Sequence, residues 1–138
     1  MDPRLKTWGL DHVSASAGVD VRACIPQSIA LVPGHTLLVP GGFAMEPPPG
    51  LVGLLFPRSG LGHKHGVVLG NGIGVIDPDY RGEVKVSLLN RGSRVYVVSP
   101  GERIAQLVLV PFYYAHFEEE PLSVTERGEQ GFGDSGKH

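Results

Sequence analysis

Three stretches of this chain carry residue types that can act on an anion. The first, Pro57-Arg58-Ser59-Gly60-Leu61-Gly62-His63-Lys64-His65-Gly66, follows an apolar run and gathers cations, a hydroxyl and glycines. Arg58 offers a planar set of donors, and Ser59 with neighbouring backbone N–H groups adds neutral ones. The segment therefore reads either as an anion site or as a solvated loop. His63 and His65 flank Lys64 with no third ligand nearby, so they read as surface histidines before a metal pair. The second stretch, Gly70 to Gly82, looks like a hairpin with an acidic tip, and Gly70, Gly72 and Gly74 leave its main chain open to a planar ligand. Asp77 and Asp79 either orient a water or cation there or build an Asx-type turn around Pro78. The third, Gly131 to Lys137, nearly spells the phosphate-loop pattern, but His138 stands where Ser or Thr is required, which excludes a nucleotide-loop ATPase. Its glycines can still aim several N–H groups at one anion; the alternative is a frayed, idle terminus.

The elements that must position these stretches are strands. Twenty glycines and twelve prolines among 138 residues, with 41% of the chain hydrophobic, exclude both disorder and a fold of long helices. Expected strands are Thr36–Val39, Leu51–Phe56, Val67–Leu69, Glu83–Leu88, Val95–Val98, Ile104–Val110 and Tyr113–Glu118, separated by Gly/Pro turns. The clearest is Glu83–Leu88, where Val84, Val86 and Leu88 alternate with Lys85 and Ser87. The fold class is all-β: a sandwich, jelly roll or barrel over residues 1–126. From Arg127 to His138 the composition breaks to a glycine-rich tail with no core stripe.

Composition narrows the partners too. A formal net charge of −2 gathers no nucleic acid, and no apolar run approaches the roughly 18 residues of a membrane span. The single Cys24 excludes intrachain disulfides and multi-cysteine metal sites. Met1 is followed by Asp2-Pro3-Arg4 and not by an apolar segment, so the expected compartment is the reducing cytoplasm.

Taken together and in order, the stretches resemble the five motifs of the deoxyuridine triphosphate nucleotidohydrolase (dUTPase) family. Ser16-Ala17-Gly18-Val19-Asp20 with Arg22-Ala23 is similar to the first, and Pro57-Arg58-Ser59-Gly60-Leu61 through Lys64 and Gly66 to the second. Gly74-Val75-Ile76-Asp77 with Asp79-Tyr80-Arg81-Gly82-Glu83 is similar to the third. Pro100-Gly101-Glu102-Arg103-Ile104-Ala105-Gln106 resembles the fourth, and Arg127-Gly128-Glu129-Gln130-Gly131-Phe132-Gly133 with Ser135-Gly136 the fifth.

The resemblance implies a jelly-roll-like β-barrel with a flexible tail over residues 127–138, assembled as a homotrimer whose active sites lie between subunits. It implies Mg²⁺-dependent hydrolysis of dUTP to dUMP and pyrophosphate. Asp77 would orient the water attacking the α-phosphorus, and Tyr80 would lie against the deoxyribose. Asn71 would read the uracil edge, and Arg58, Ser59, Gly60 and Gln106 would hold the triphosphate. From the tail, Arg127 would reach the terminal phosphate, Phe132 would stack on the base, and Gly133 and Ser135 would close on the phosphates. No residue would ligate the metal directly; Asp20 would support its waters or the arginine network.

Two departures stand out. Gln130 replaces a usual glycine, and Asp134 stands where a neutral or weakly basic residue is common, so its carboxylate points away from the phosphates or weakens closure. Leu10-Asp11-His12-Val13 lacks the family's usual Pro and Tyr. Two rivals share the fold. A dCTP deaminase needs a proton-shuttling Glu where this chain has Ser87, and a non-catalytic nucleotide-binding trimer would be expected to lose Asp77 or the tail.

Overall fold

The alternation around Val86 carries directly into structure. In the computed structural model, which describes residues 15–133, Val84, Val86 and Leu88 are buried while Lys85 faces solvent. The described strands are β1 (Val19–Arg22), β2 (Ile29–Leu31), β3 (Thr36–Pro40), β4 (Leu51–Phe56), β5 (Val67–Leu69), β6 (Gly74–Ile76), β7 (Lys85–Asn90), β8 (Tyr96–Val98) and β9 (Arg103–Pro111). They pair antiparallel in three sheets, ordered β1-β9-β4-β6, β2-β8 and β3-β7-β5. The inward faces meet in one core that includes Val21, Val39, Leu55, Val86, Leu88, Val98 and Ile104. The fold is all-β and jelly-roll-like, with sheets that do not join into a closed barrel. No helix among the described residues is long and apolar enough to cross a membrane.

Asn90 sits fully buried at the end of β7 with every side-chain hydrogen-bonding atom engaged. Its Nδ2 donates to the carbonyls of Leu31 and Arg94 at 2.9 and 2.8 Å, and its Oδ1 accepts from the Gly92 N–H at 2.9 Å. One side chain thus ties β2 to β7 and to the turn that follows; each buried group left unpaired would cost about 1–3 kcal/mol.

Three local expectations differ from the structure. The segment read as a loop after Arg58 contains a short helix, α1 (Ser59–His65). Two glycines, the lack of a side-chain cap at Arg58 and a single buried residue, Leu61, hide it from any helical pattern. Its C-terminal cap Gly66 has φ +68°, and a Cβ there would also meet the Gly92 backbone nitrogen at 2.7 Å. Tyr113–Glu118 forms no strand: Tyr113, Tyr114 and Phe117 are exposed, and the sheet ends at Pro111. The arms of the expected hairpin do not pair with each other, since β6 adds to β4 and β7 lies between β3 and β5. Residues 77–84 are instead a strap crossing from one sheet to another.

Candidate active site

Two separate recesses collect the described candidate residues outside the tail. The first is polar, about 270 Å³, and lined by Ser16, Asp20, Arg58, Ser59, Gly60 and Gln106. Asp20 on β1 lies opposite Gln106 on β9, and its carboxylate bridges two guanidinium groups: Arg58 Nε at 3.1 Å and Arg103 Nε at 3.3 Å. Arg58 also donates to the Arg103 carbonyl at 3.3 Å, and Gln106 Nε2 donates to the Pro57 carbonyl at 3.1 Å. Three segments distant in sequence are thereby held as one donor-rich surface. Arg58 also acts electrostatically on Tyr96, whose hydroxyl donates to Glu102, which in turn accepts the Ser99 N–H at 2.9 Å. Burial first, and then the bond to Glu102 and the charge of that carboxylate, push the Tyr96 phenol far above its ordinary range against the opposing pull of Arg58.

Arg103 is a participant that the sequence did not disclose. Strict alternation along β9 would put Arg103 and Gln106 on opposite faces. The β1–β9 register shifts at Val21/Arg22, so that Val21 faces Ala105 while Arg22 faces Arg103. That bulge absorbs one residue, buries Ile104 and Ala105 in succession and brings Arg103 round to Asp20. β9 reads Arg103-Ile104-Ala105-Gln106-Leu107-Val108-Leu109-Val110-Pro111, apolar on both sides of Gln106, so no break in alternation marked the bulge in the sequence.

The second recess, about 230 Å³, has an apolar floor of Leu55, Leu69, Ile76, Val84 and Val86 and a rim that includes Asn71, Asp77, Tyr80 and Ser87. Of the three alternating glycines only Gly74 lines it; Gly70 and Gly72 belong to the exposed turn between β5 and β6. The turn at Pro78 closes through the backbone, with the Tyr80 N–H donating to the Asp77 carbonyl at 3.1 Å. No hydrogen bond to the Asp77 carboxylate is made among the described residues, so the Asx-turn reading is not realised. Tyr80 is 46% exposed and donates from its hydroxyl to the Glu83 carbonyl at 3.0 Å.

The two recesses share no lining residue. The described tail residues line neither: Arg127 Nε donates to the Gln130 carbonyl at 2.7 Å, and Phe132 and Gly133 are exposed, both at positive φ. Ser135 and Asp134 lie outside the described residues, as do Leu10 to Val13.

A polar hollow around Arg58 and a separate one with an apolar floor are the two recesses that this all-β fold builds from those residues. The sequence model of the dUTPase family matches residues 10–136, and the chain belongs to that family. It is 52% identical to the deoxyuridine 5′-triphosphate nucleotidohydrolase of Azoarcus sp. (strain BH72), over all of this chain and 95% of that one. It is 53% identical to the enzyme of the same name from Cronobacter sakazakii, over 90% of this chain and 83% of the other. Among solved structures, a variant of the Staphylococcus bacteriophage 80alpha dUTPase with dUpNHpp superposes with a TM-score of 0.79 at 29% identity, covering 91% of this chain and 89% of that chain.

Proposed function

We propose that this protein is a dUTP diphosphatase that hydrolyses dUTP to dUMP and pyrophosphate by attack of water on the α-phosphorus, keeping uracil out of DNA and supplying dUMP for thymidylate synthesis. The observation that carries this reading is the Asp77 carboxylate, unengaged by the described residues at the rim of an apolar recess beside Tyr80. A carboxylate so placed can orient a water and accept its proton as the new P–O bond forms. Arg58, Ser59, Gly60 and Gln106 hold the triphosphate, and their positions are set before substrate arrives because Asp20 already fixes Arg58. Asn71 and the strap backbone read the uracil edge, and Tyr80 lies against the sugar where a 2′-hydroxyl would clash. Arg127, Phe132, Gly133 and Ser135 close over the phosphates and base, excluding all but the attacking water. Ser87 on the rim is a poor proton shuttle, which disfavours a deaminase.

Phosphate and base recesses that share no residue within one chain support a homotrimer that brings them together from different subunits, with residues 127–138 as the closing segment of a body spanning 1–126. Exposed Ile73 and Val75 beside the base recess supply apolar surface for such contacts. Mg²⁺ fits as an ion carried on substrate phosphates. Among the described residues no group of three or more His, Cys, Asp or Glu could cage a metal, and Asp20 is the carboxylate lining the polar recess, able to accept hydrogen bonds from the ion's waters. When bound, the ion neutralises charge developing on the leaving pyrophosphate. The one cysteine of the sequence, Cys24, is buried, and a single cysteine supports a reducing, cytoplasmic setting.

The test is pyrophosphate release from dUTP, dTTP, dCTP and UTP with Mg²⁺, alongside light scattering. dUTP should react far faster than the others, by a particle about three times the mass of one 14.7 kDa chain. Comparable turnover of dTTP, or full activity in a monomer, would refute the reading.

A further inference from the structure

We infer that Gly82 is the positioning residue for Tyr80, and that its missing side chain sets the preference for deoxyribose over ribose; this rests on Tyr80 lying against the sugar as argued above. The φ of Gly82 is not in the left-handed region, so its backbone admits any residue. What requires glycine is the aromatic ring. A Cβ at position 82 would run into the Tyr80 hydroxyl and lie 2.5 Å from its Cζ and 2.9 Å from its Cε2. The ring is therefore seated on the bare Cα of Gly82.

A side chain at position 82 must displace either the strap or the ring. The strap is held from behind at several points. Glu83 Oε1 accepts the Gly42 N–H at 3.0 Å, the Val84 N–H donates to the Phe43 carbonyl at 2.8 Å, and the Gly41 N–H donates to the Val84 carbonyl at 2.9 Å. Arg81 reaches Glu46 at 3.0 Å and the Pro78 carbonyl at 2.7 Å. The ring, by contrast, is about half exposed and has one hydrogen bond, from its hydroxyl to the Glu83 carbonyl. The ring gives way first. Gly82→Ala thus leaves the fold intact and moves the one surface that senses the sugar's 2′ position.

The experiment compares wild type, Gly82→Ala, Tyr80→Ala and the double variant by thermal unfolding and by the ratio of kcat/KM for dUTP to that for UTP. A ring misplaced by about 1 Å at a reacting complex can cost about a hundredfold, so Gly82→Ala should lower the ratio at least about tenfold while unfolding near the wild-type temperature. In the Tyr80→Ala background the same substitution should change the ratio by less than about twofold, because there is no ring left to move. If Gly82→Ala fails to fold, recovery of folding in the double variant upholds the clash, and failure of both overturns it. A selective wild type with an equally selective Gly82→Ala, or an undiminished effect in the double variant, overturns the role of Gly82. A wild type indifferent to the 2′-hydroxyl would instead sink the reading of Tyr80 on which that role depends.

Discussion

The walls of the two recesses are built by opposite means. Around Asp20 the wall is built from charge: two guanidinium groups share one carboxylate, and amide and hydroxyl donors stand beside them. Around Asp77 it is built from shape: an apolar floor, a buried glycine and a ring seated on another glycine. The first suits a ligand whose charge is fixed and whose outline matters little; the second suits a flat, weakly polar ring distinguished by a methyl group or a hydroxyl. An apolar hollow alone discriminates one methyl by only about 1–3 kcal/mol, so in the proposed function crowding by backbone and by Tyr80 supplies the remainder. Dividing the tasks lets each wall be rigid for its own purpose.

Substitutions on the two sides should accordingly fail in different ways. The largest effect is expected for Asp77→Asn, which keeps size and removes the charge that orients water. kcat should fall by about a hundredfold to ten-thousandfold, with KM for dUTP little changed, in single-turnover and steady-state assays. Near-normal turnover would reduce Asp77 to a turn residue. Arg58→Ala removes a charge-assisted donor worth about 1.5–3 kcal/mol, so KM should rise about tenfold to a hundredfold and the salt dependence of KM should weaken. The dUTP-to-dTTP preference should stay at its wild-type value, and a change in it would mean that charge and shape are not separate.

The smallest effect probes Tyr96, on which Arg58 acts electrostatically. Tyr96→Phe deletes the hydroxyl bonded to Glu102 and should lower stability at neutral pH by about 1 kcal/mol, read by denaturant titration. Because the folded phenol is held above its ordinary pKa of 10.0, the fold favours the neutral form. That contribution is complete below about pH 10 and is lost as pH rises further, so wild type should lose stability in that alkaline range more steeply than Tyr96→Phe.

Much of this molecule was legible because it is local. Val84, Val86 and Leu88 alternate with polar neighbours, and that period alone places one face of β7 in the core. Arg58, Ser59 and Gly60 fall together in one recess, and Asp77 and Tyr80 in the other, because each group is contiguous or nearly so in the chain. Helix α1 escaped because it has two glycines, no side-chain cap and one buried residue, so neighbouring packing and not its own pattern holds it. Tyr113–Glu118 looked like a strand by composition, yet a strand needs an edge to pair with and this stretch meets none among the described residues.

By itself, the sequence determined which residues can carry charge, donate hydrogen bonds or leave room, and which short runs alternate into strands. Tertiary structure alone decided that Asp20 would clasp both Arg58 and Arg103, that β6 would leave its neighbour β7 to pair with β4, and that Gly82 would serve as the seat of an aromatic ring. The physical reason is range. Side-chain type and strand period are properties of adjacent residues, whereas a bulge, a register or a close approach depends on which distant strand lies alongside, and only the completed packing of the sheets selects it.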